Sequence, residues 1–382
     1  MTPTTVEDRR SRRRTTAHLW TTFGPAAVGV VAGFFLIIIV GGLLMVISGI
    51  SPLEGFDGLW KGSFGSTIGF GSALLRSTPV ILTGLGVAVA YRAGVFNVGA
   101  EGQLFIGGLC GTIGALVAPG PAALNIALAL IAGFLGGALW AGLPGYLKAY
   151  RGVNEIISTV LFNFVAIQVV AYAVNGPLEE AGSVSPQSER LPYGIPGLIP
   201  NTSANYGFVL AVLLTAFIWW YTTRTHQGLR MRAVGGNPLA ARYVGVNDRR
   251  SIVWAMLISG GLAGLGGAVE VLGLHHRLFP GFSPGFGFEG LIAAILASGN
   301  AIATMVFAVL IGGLRSGGEE MQRNTGAPIA FVFIIQGLII LVAAGSRTRY
   351  RRSAVPGQDS AAAHDAGPYD AKLLESPESM DA

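Results

Sequence analysis

Long apolar runs, separated by short polar stretches, recur along most of this sequence. A helix needs about 20 mainly apolar residues to cross the hydrocarbon core of a bilayer, and most of the runs come close to that length or exceed it. The predicted spans cover residues 25–50, 67–90, 96–117, 122–147, 155–174, 206–222, 252–272, 288–298, 301–314 and 327–344. The pattern therefore predicts an all-α, polytopic membrane bundle of about ten transmembrane helices.

A polar tail precedes the first run and another follows the last. Residues 1–24 resemble the basic start of a signal peptide, but the run over 25–50 is too long for one and lacks a small-x-small cleavage site. We therefore predict a retained first span with a cytoplasmic N-terminus. The predicted domains are a cytoplasmic tail over 1–24, a transmembrane domain over 25–346 and a disordered cytoplasmic tail over 347–382.

Three local features are predicted in and before the second span. Arg76 lies within the second span, where a charged side chain costs about 2.5–3.5 kcal/mol on insertion scales, so it should face protein or a water-filled cavity. Pro79 follows in the same span and should kink or break the helix. Residues 51–66, between the first two spans, are predicted to form a loop.

Composition supports the membrane class. Only 12% of the residues are charged and the mean hydropathy is +0.58, which leaves too little polar surface for a soluble protein. The net charge of +5 does not indicate nucleic-acid binding, because the arginines gather at the ends of apolar runs. Cys110 is the single cysteine, so an intrachain disulfide and a cysteine-based metal site are excluded.

The placement of charge agrees with ten spans. Starting from a cytoplasmic N-terminus, ten spans put Arg92, Lys148, Arg151, the 224–250 block and the C-terminal arginines on the cytoplasmic side. They also leave the acidic 175–205 loop outside. Both termini are therefore predicted to be cytoplasmic. Three arginines do not fit this arrangement: Arg277, Arg315 and Arg323.

The largest polar block inside the apolar region covers residues 224–250 and is rich in arginine. Within it, Asn237 followed by Pro238 is typical of an N-cap and a first helical position, and Gly245 is typical of a helix end. We predict a short helix over 239–243 at the membrane surface, where a soluble partner could bind it. The alternative is an ordinary basic loop that follows the positive-inside rule.

Eight residues of this block follow the pattern Arg-x-x-Gly-x-Asn-Pro-x-Ala-Ala-Arg-x-x-Gly. They are Arg232, Gly235, Asn237, Pro238, Ala240, Ala241, Arg242 and Gly245. In this pattern the chain resembles the permease subunits of ATP-binding-cassette (ABC) importers of the ribose, simple-sugar and nucleoside type, where it marks the cytoplasmic coupling helix. The resemblance implies that these residues couple the chain to a separate ATPase subunit.

Other segments resemble one branch of this class, the permeases that work with basic-membrane-protein-type lipoproteins and take up nucleosides. The similar segments are 97–103, 152–159, 270–273 and 285–293. The similarity covers about residues 60–345. Residues 297–300 depart from it, because the family usually has a Gly-Arg-x-x-Pro turn there.

The resemblance implies a function and a set of partners. The chain would be the transmembrane subunit of an ABC importer that translocates nucleosides across the bacterial cytoplasmic membrane, driven by ATP hydrolysis on another chain. Its partners would be the nucleoside, membrane lipids, the ATPase subunits, a paralogous permease subunit and an extracytoplasmic substrate-binding lipoprotein. The lipoprotein delivers substrate to a mouth formed by 175–205 and 273–287. The alternatives are a simple-sugar ABC importer and an ion-driven secondary transporter that uses Glu101, Glu270 or Glu289.

Three of the apolar spans begin with a carboxylate, at Glu101, Glu155 and Glu289. A carboxylate in the first turn is favoured by the helix dipole, and Asn97 or Asn154 could cap the exposed amides, so helix capping is one interpretation. In the other, Glu101 and Glu289 open helices that enter from opposite faces. That arrangement is typical of an inverted repeat, here spans two to five against seven to ten, with broken helices forming the substrate path.

Polar and aromatic side chains inside the spans suit a flat polar base and a ribose. We predict a substrate path that includes Phe96, Asn97, Glu101, Gln103, Asn154, Glu155, Asn163, Glu270, Glu289 and Gln336. The alternative for each amide is a hydrogen bond to a neighbouring helix only.

Several catalytic motifs are missing from the sequence. No lysine has the surroundings of a phosphate-binding P-loop, so ATP hydrolysis is expected on another chain and this chain is predicted not to be an enzyme. Without a His-Glu-x-x-His motif, His275 and His276 are interpreted as a loop pair rather than zinc ligands, and no metal or cofactor is predicted. The nucleophile motif of a rhomboid-like protease has a glycine two residues before the serine of a Ser-Gly dipeptide, and no Ser-Gly dipeptide of this sequence has one.

Overall fold

A computed structural model describes residues 38–118, 120–328, 330–331, 333–334 and 336–338 of the chain. The predicted tails over 1–24 and 347–382, and half of the first and of the last predicted span, lie outside these ranges. Within them, Val40–Gly337 forms one compact unit. Its regular structure is helical, and the β-structure of the described residues is limited to two isolated bridges, at Glu179–Ser188 and Gly197–Asn205.

Twelve helices follow one another over residues 38–325, and the residues described within 330–338 are helical as well. They are α1 (Ile38–Ile47, as far as it is described), α2 (Pro52–Trp60), α3 (Thr67–Arg92), α4 (Ala100–Val117), α5 (Ala122–Arg151), α6 (Glu155–Val174), α7 (Gly207–Arg224), α8 (His226–Gly236), α9 (Pro238–Tyr243), α10 (Asp248–Glu270), α11 (Phe286–Leu296) and α12 (Ala301–Thr325). A π-helical turn follows α2 over Lys61–Gly65, and another extends α10 over Val271–His275.

Seven of these helices are long and apolar enough to cross a membrane: α3, α4, α5, α6, α7, α10 with its π-helical turn, and α12. α1 and α11 are apolar but shorter. The prediction of an all-α, polytopic bundle is confirmed. The total of ten spans stays a prediction, because parts of the first and last spans lie outside the described residues.

Two local predictions were wrong. Residues 51–66 form α2 and a π-helical turn instead of a loop, because Pro52 starts a helix and Gly58 and Gly62 let it lie directly on α12. The helix predicted over 301–314 runs to Thr325, where Gly326 ends it in the left-handed region at φ 71°. Of the two alternatives predicted at Pro79, the break is excluded, because α3 continues through this residue, and the kink stays a prediction.

The centre of the bundle is formed by α3, α4 and α10. α3 is buried along nearly its whole length, whereas α5, α6 and α7 keep many exposed apolar side chains on their outer faces. Small residues allow α10 to lie against its neighbours: a Cβ on Gly264 would overlap the backbone of α5 at Gly133, and one on Gly107 in α4 would overlap Gly264. Such close backbone contact is the usual way in which helices associate in a membrane.

The two ends of α10 mark two different ends of the bundle. Near its first turn, Arg249 lies 5.6 Å from the ring centroid of Tyr150 at the end of α5, and Gly94 packs on Gly235 of α8. Near its last turn, the 175–205 loop bonds to the chain after α10, with Leu191 N donating to His276 O at 2.8 Å. The described segments predicted to be cytoplasmic thus share one end, and the loop predicted to be external lies at the other.

Candidate substrate path and coupling surface

The first turns of α4 and α11 meet in the interior of the bundle. The backbone N–H of Gly287 donates to Glu101 Oε2 at 2.6 Å, and Glu101 is only 3% exposed. A Cβ on Gly287 would overlap the backbone of Ala100 and Glu101, so the approach requires glycine. Helix N-termini carry unpaired N–H groups and partial positive charge, and the Glu101 carboxylate stabilises both termini at once.

From this junction the two helices run toward opposite ends of the bundle. α11 follows the second half of α3: Phe286 O accepts from Thr83 Oγ1 at 3.1 Å, and beyond the helix Gly299 O accepts from Arg92 Nε at 2.7 Å. α4 follows α10 in the other direction, since Gly111 packs on Ala268 near the last turns of α10. Two helices therefore begin side by side in the interior and diverge.

A buried ion pair lies beside the junction. Arg315 of α12, 4% exposed, bonds to Glu289 in the first turn of α11. Its guanidinium carbon lies 5.2 Å from the ring centroid of Phe286 and 5.9 Å from that of Phe333. Glu289 Oε2 and Arg315 Nε have no hydrogen-bond partner among the described residues. The pair thus keeps one free acceptor and one free donor in a buried, aromatic environment.

A second charged group lies toward the end that carries the 175–205 loop. Arg76 of α3 lies 3.1 Å from Glu319 of α12 and 3.9 Å from Glu270 of α10. The Glu270 carboxylate is 1% exposed and also lies 3.4 Å from Nε2 of His275. The prediction that Arg76 faces protein is confirmed, and the arginine neutralises part of the carboxylate charge of two neighbouring helices, α10 and α12.

The predicted amides form two clusters of internal hydrogen bonds. Asn97 Nδ2 donates to Gln103 Oε1 and to Ser259 Oγ, each at 2.8 Å, and Gln103 Nε2 donates back to Asn97 Oδ1 at 3.0 Å. Asn163 of α6 accepts from Gly102 N at 2.8 Å and donates to Val98 O at 3.0 Å. These bonds hold the start of α4 against α10 and α6, so the amides position the junction.

Three of the predicted path residues lie elsewhere, at the arginine-rich end. Asn154 caps α6 by accepting from Ile156 N at 2.9 Å. Glu155 pairs with Lys148 at 2.7 Å, and Phe96 is 40% exposed and stacks edge-on against Tyr91. The predicted capping role of Asn154 is confirmed. The structure does not bring these three side chains together with Glu101 and Glu289.

Gln336 lies in the last described stretch of the chain. It is 8% exposed, and its side-chain nitrogen has no hydrogen-bond partner among the described residues. It follows Phe333 by three residues in a helical stretch, so both side chains lie on the same helix face. Because Phe333 contacts Arg315, that face is turned toward the buried ion pair.

The predicted surface helix is α9. Asn237 Oδ1 accepts from Leu239 N at 3.0 Å and from Ala240 N at 3.1 Å, Pro238 is the first helical residue, and Gly245 follows the helix at φ 80°. The predicted helix start and end are both confirmed. The start of the helix has a local cause, because the Asn237 side chain accepts hydrogen bonds from backbone amides that have no partner within the helix.

One face of α9 is open and the other is anchored. The apolar side chains of Leu239, Tyr243 and Val244 are 66%, 92% and 76% exposed, whereas Ala241 is buried. Arg242 bonds to Asp248 at 2.6 Å, and this bond raises the pKa of Arg242 above its ordinary value. Since Asp248 is in the first turn of α10, the ion pair connects α9 to a central helix.

The remaining residues of the predicted coupling pattern fix the neighbourhood of α9. Arg232 Nη2 donates to Thr223 O at 3.5 Å, joining α8 to the end of α7. Gly235 lies against the backbone of Arg92 at the end of α3, where a Cβ would overlap. The pattern thus connects α9 to three of the helices predicted to cross the membrane.

Sequence reasoning missed Arg315 and Asp248 as functional candidates. Arg315 was noticed only because it disagreed with the positive-inside rule. Each of the three arginines that disagree with the positive-inside rule is paired with a carboxylate in the structure. Arg277 bonds to Glu180, Arg323 to Glu320 and Arg315 to Glu289. A charged residue within an apolar run usually has a partner, and that signal would have identified Arg315.

Comparisons with known proteins complete this description. The family model described as "Branched-chain amino acid transport system / permease component" matches residues 69–344. The guanosine ABC transporter permease protein NupP of Bacillus subtilis (strain 168) is 35% identical over 312 residues, which cover 80% of this chain and 89% of NupP. No solved structure matches the chain significantly.

Two further relatives differ in their named substrates. The glucose ABC transporter permease protein TsgB13 of Haloferax volcanii is 32% identical over 340 residues, covering 86% of this chain and 88% of the relative. The nucleoside ABC transporter permease protein NupB of Lactococcus lactis subsp. cremoris is 29% identical over 325 residues, which cover 82% of this chain and 88% of NupB.

Proposed function

The chain belongs to the permease family described as the branched-chain amino acid transport system permease component, and from this premise we propose that it is the transmembrane subunit of an ABC importer that carries nucleosides across the cytoplasmic membrane. The observation that carries the proposal is α9, a capped helix with an exposed apolar face, in a chain with nucleoside permeases among its relatives. ATP is hydrolysed on a partner subunit that binds this helix.

Coupling begins at the exposed face of α9. Movement of the ATPase subunits displaces Leu239 and Tyr243, and the Arg242–Asp248 ion pair transmits the displacement to α10. Because α10 lies against α3, α4 and α5, its displacement changes the packing around the helix junction. An interior of close glycine contacts is rigid, which favours a switch between two arrangements over gradual deformation.

The substrate path passes the junction of α4 and α11. Two helices that begin in the interior and run apart are the arrangement that inverted repeats produce in transporters, with spans two to five matching spans seven to ten. Three of the predicted path residues lie at or face this junction, namely Glu101, Glu289 and Gln336. The junction is held in position by the side-chain amides of Asn97, Gln103 and Asn163. With this repeat, the proposed topology has ten spans and both termini in the cytoplasm.

The partners follow from the same arrangement. An extracytoplasmic lipoprotein delivers the nucleoside to the end formed by the 175–205 loop and the chain after α10, which are joined by the Arg277–Glu180 ion pair at 3.1 Å. A paralogous permease forms the other half of the pore. A simple sugar is the alternative cargo, favoured by the similarity to TsgB13.

The test is reconstitution into liposomes of this chain with the proposed ATPase, second permease and lipoprotein partners. We expect ATP-dependent accumulation of radiolabelled guanosine that excess unlabelled nucleoside abolishes and excess glucose does not. Accumulation of glucose alone would assign the chain to the sugar alternative. Accumulation without ATP would reject the importer function.

A further inference from the structure

A polar pocket opens beside α9 at the arginine-rich end. It lies between α8, the turn over 245–247 and the first two turns of α10, and has a volume of about 330 Å³. This volume is within the range of roughly 300–1,000 Å³ that is usual for small-molecule sites. Its lining includes Gln227, Arg230, Met231, Asn247, Arg250 and Trp254.

The pocket presents donors and positive charge. Both arginines, Arg230 and Arg250, are exposed, and their guanidinium groups have no hydrogen bond or ion pair with any other described residue. The nearby carboxylate of Asp248 is already bound to Arg242. Asn247 uses its side-chain oxygen to cap α10, accepting from Arg250 N at 3.0 Å, which leaves its amide nitrogen as a donor. Such a site favours an anion with several acceptor oxygens.

One wall of the pocket reaches the membrane boundary. Trp254 is 59% exposed and follows Arg250 by four residues, so both side chains lie on the same face of α10. Beyond this point α10 is apolar enough to cross a membrane. Tryptophan is enriched where helices pass through the headgroup layer. We therefore expect Arg250, one turn before this tryptophan, at the depth of lipid phosphates, and Arg230 lines the same pocket.

We propose that this pocket binds the phosphate-bearing headgroup of an anionic phospholipid. Arg230 and Arg250 hold the phosphate oxygens, and Trp254 lies against the glycerol and upper acyl region. Basic pockets between helices on the cytoplasmic side have this role in membrane proteins. The bound lipid would hold the 245–247 turn that follows α9, so it would stabilise the position of α9. Inorganic phosphate has the same chemistry without the membrane, and the experiment separates the two.

The experiment uses the full chain purified in detergent and three probes: short-chain phosphatidylglycerol, short-chain phosphatidylcholine and inorganic phosphate. Binding is followed by tryptophan fluorescence and by native mass spectrometry. We expect phosphatidylglycerol to bind more tightly than phosphatidylcholine, and R230A/R250A to weaken its binding about 30-fold, or roughly five-fold for each arginine. The control R224A/R249A removes the same charge at the same end of the bundle outside the pocket and should bind like the unchanged protein.

Each other outcome overturns the proposal. Equal weakening in both double variants would mean diffuse attraction to a basic surface. Saturation by inorganic phosphate, with no additional binding of phosphatidylglycerol, would assign the pocket to a soluble anion. Equal binding of both lipids by all three proteins would exclude an anion site. If R230A/R250A does not fold, R230Q/R250Q provides the same comparison, with circular dichroism and size-exclusion elution as the check on folding.

Discussion

Gly287 N donates to Glu101 Oε2 at 2.6 Å, and this bond joins the first turns of two helices that lie 186 residues apart in the chain. The carboxylate neutralises two helix N-termini that would otherwise face each other with like partial charge. Glycine is required on one side of the contact and a carboxylate on the other. The two residues therefore determine whether α4 and α11 can start at the same place.

Removal of the Glu101 carboxylate should destabilise the junction. A hydrogen bond to a charged group contributes about 1.5–3 kcal/mol, so we expect E101A to lower the midpoint of thermal unfolding clearly. E101Q keeps an acceptor for Gly287 N and should lower it less. The measurement is thermal unfolding of the purified protein in detergent. Equal midpoints for E101A and the unchanged protein would show that the carboxylate does not stabilise the contact.

The second residue of the contact allows a steric test. In G287A the new methyl group would overlap the α4 backbone, and overpacking of this kind usually costs about 1–3 kcal/mol. We expect reduced thermal stability and loss of transport. The control is G197A in the 175–205 loop, where the nearest atom to an added Cβ is 3.8 Å away. The steric interpretation fails if both variants unfold at the same temperature.

The ion pair between Arg315 and Glu289 should behave as a unit. Removal of one partner of a buried pair costs about 3–5 kcal/mol, because it leaves the other charge uncompensated. We expect R315M and E289M each to destabilise strongly and R315M/E289M to destabilise less than either single variant. R323A is the control, since Arg323 is 65% exposed in its pair with Glu320 and such pairs contribute about 0–1 kcal/mol. Additive effects in the double variant would contradict a buried, coupled pair.

Reversal of charge at Arg242 should uncouple transport from ATP hydrolysis. R242E places two carboxylates together at the start of α10 and removes the connection between α9 and that helix. We expect ATP hydrolysis by the assembled complex to continue while nucleoside uptake is lost. The swapped variant R242D/D248R restores opposite charges and should recover part of the uptake. Unchanged uptake in R242E would reject the role of this ion pair in coupling.

The importer function predicts dependence on the partner ATPase. Membranes that contain this chain and its permease partner without the ATPase should equilibrate nucleosides at most and should not accumulate them. Radiolabelled uptake with an imposed proton or sodium gradient measures this directly. Uphill uptake under these conditions would instead favour an ion-driven transporter that uses the buried carboxylates Glu101, Glu270 or Glu289.

Features that depend on neighbouring residues in the chain were predictable. The start and end of α9, the Asn154 cap and the helical class all follow from short-range rules about side chains, amides and apolar length. The errors have a different origin. Residues 51–66 become helical, and α12 continues past 314, because these polar stretches lie against each other and find partners there, such as Ser316 Oγ donating to Gly62 O at 2.7 Å.

The features of the candidate site also fall into two groups: those that a local sequence signal identifies and those that only the folded structure reveals. The sequence identified Glu101 and Glu289 as residues that begin helices, since their position before apolar runs is a local signal. It could not show that Gly287 contacts Glu101, or that Arg315 pairs with Glu289. It also grouped Phe96, Asn154 and Glu155 with the path, because residue type alone does not indicate depth in the bundle.

The amino-acid sequence by itself determined the helical membrane class and the capped helix α9, because each depends on local length, polarity or hydrogen bonding. Only the tertiary structure decided which charges are paired, where α4 and α11 meet and which amides hold them there. The physical reason is that a buried charge or a helix N-terminus requires a partner, and that partner can lie at any distance along the chain.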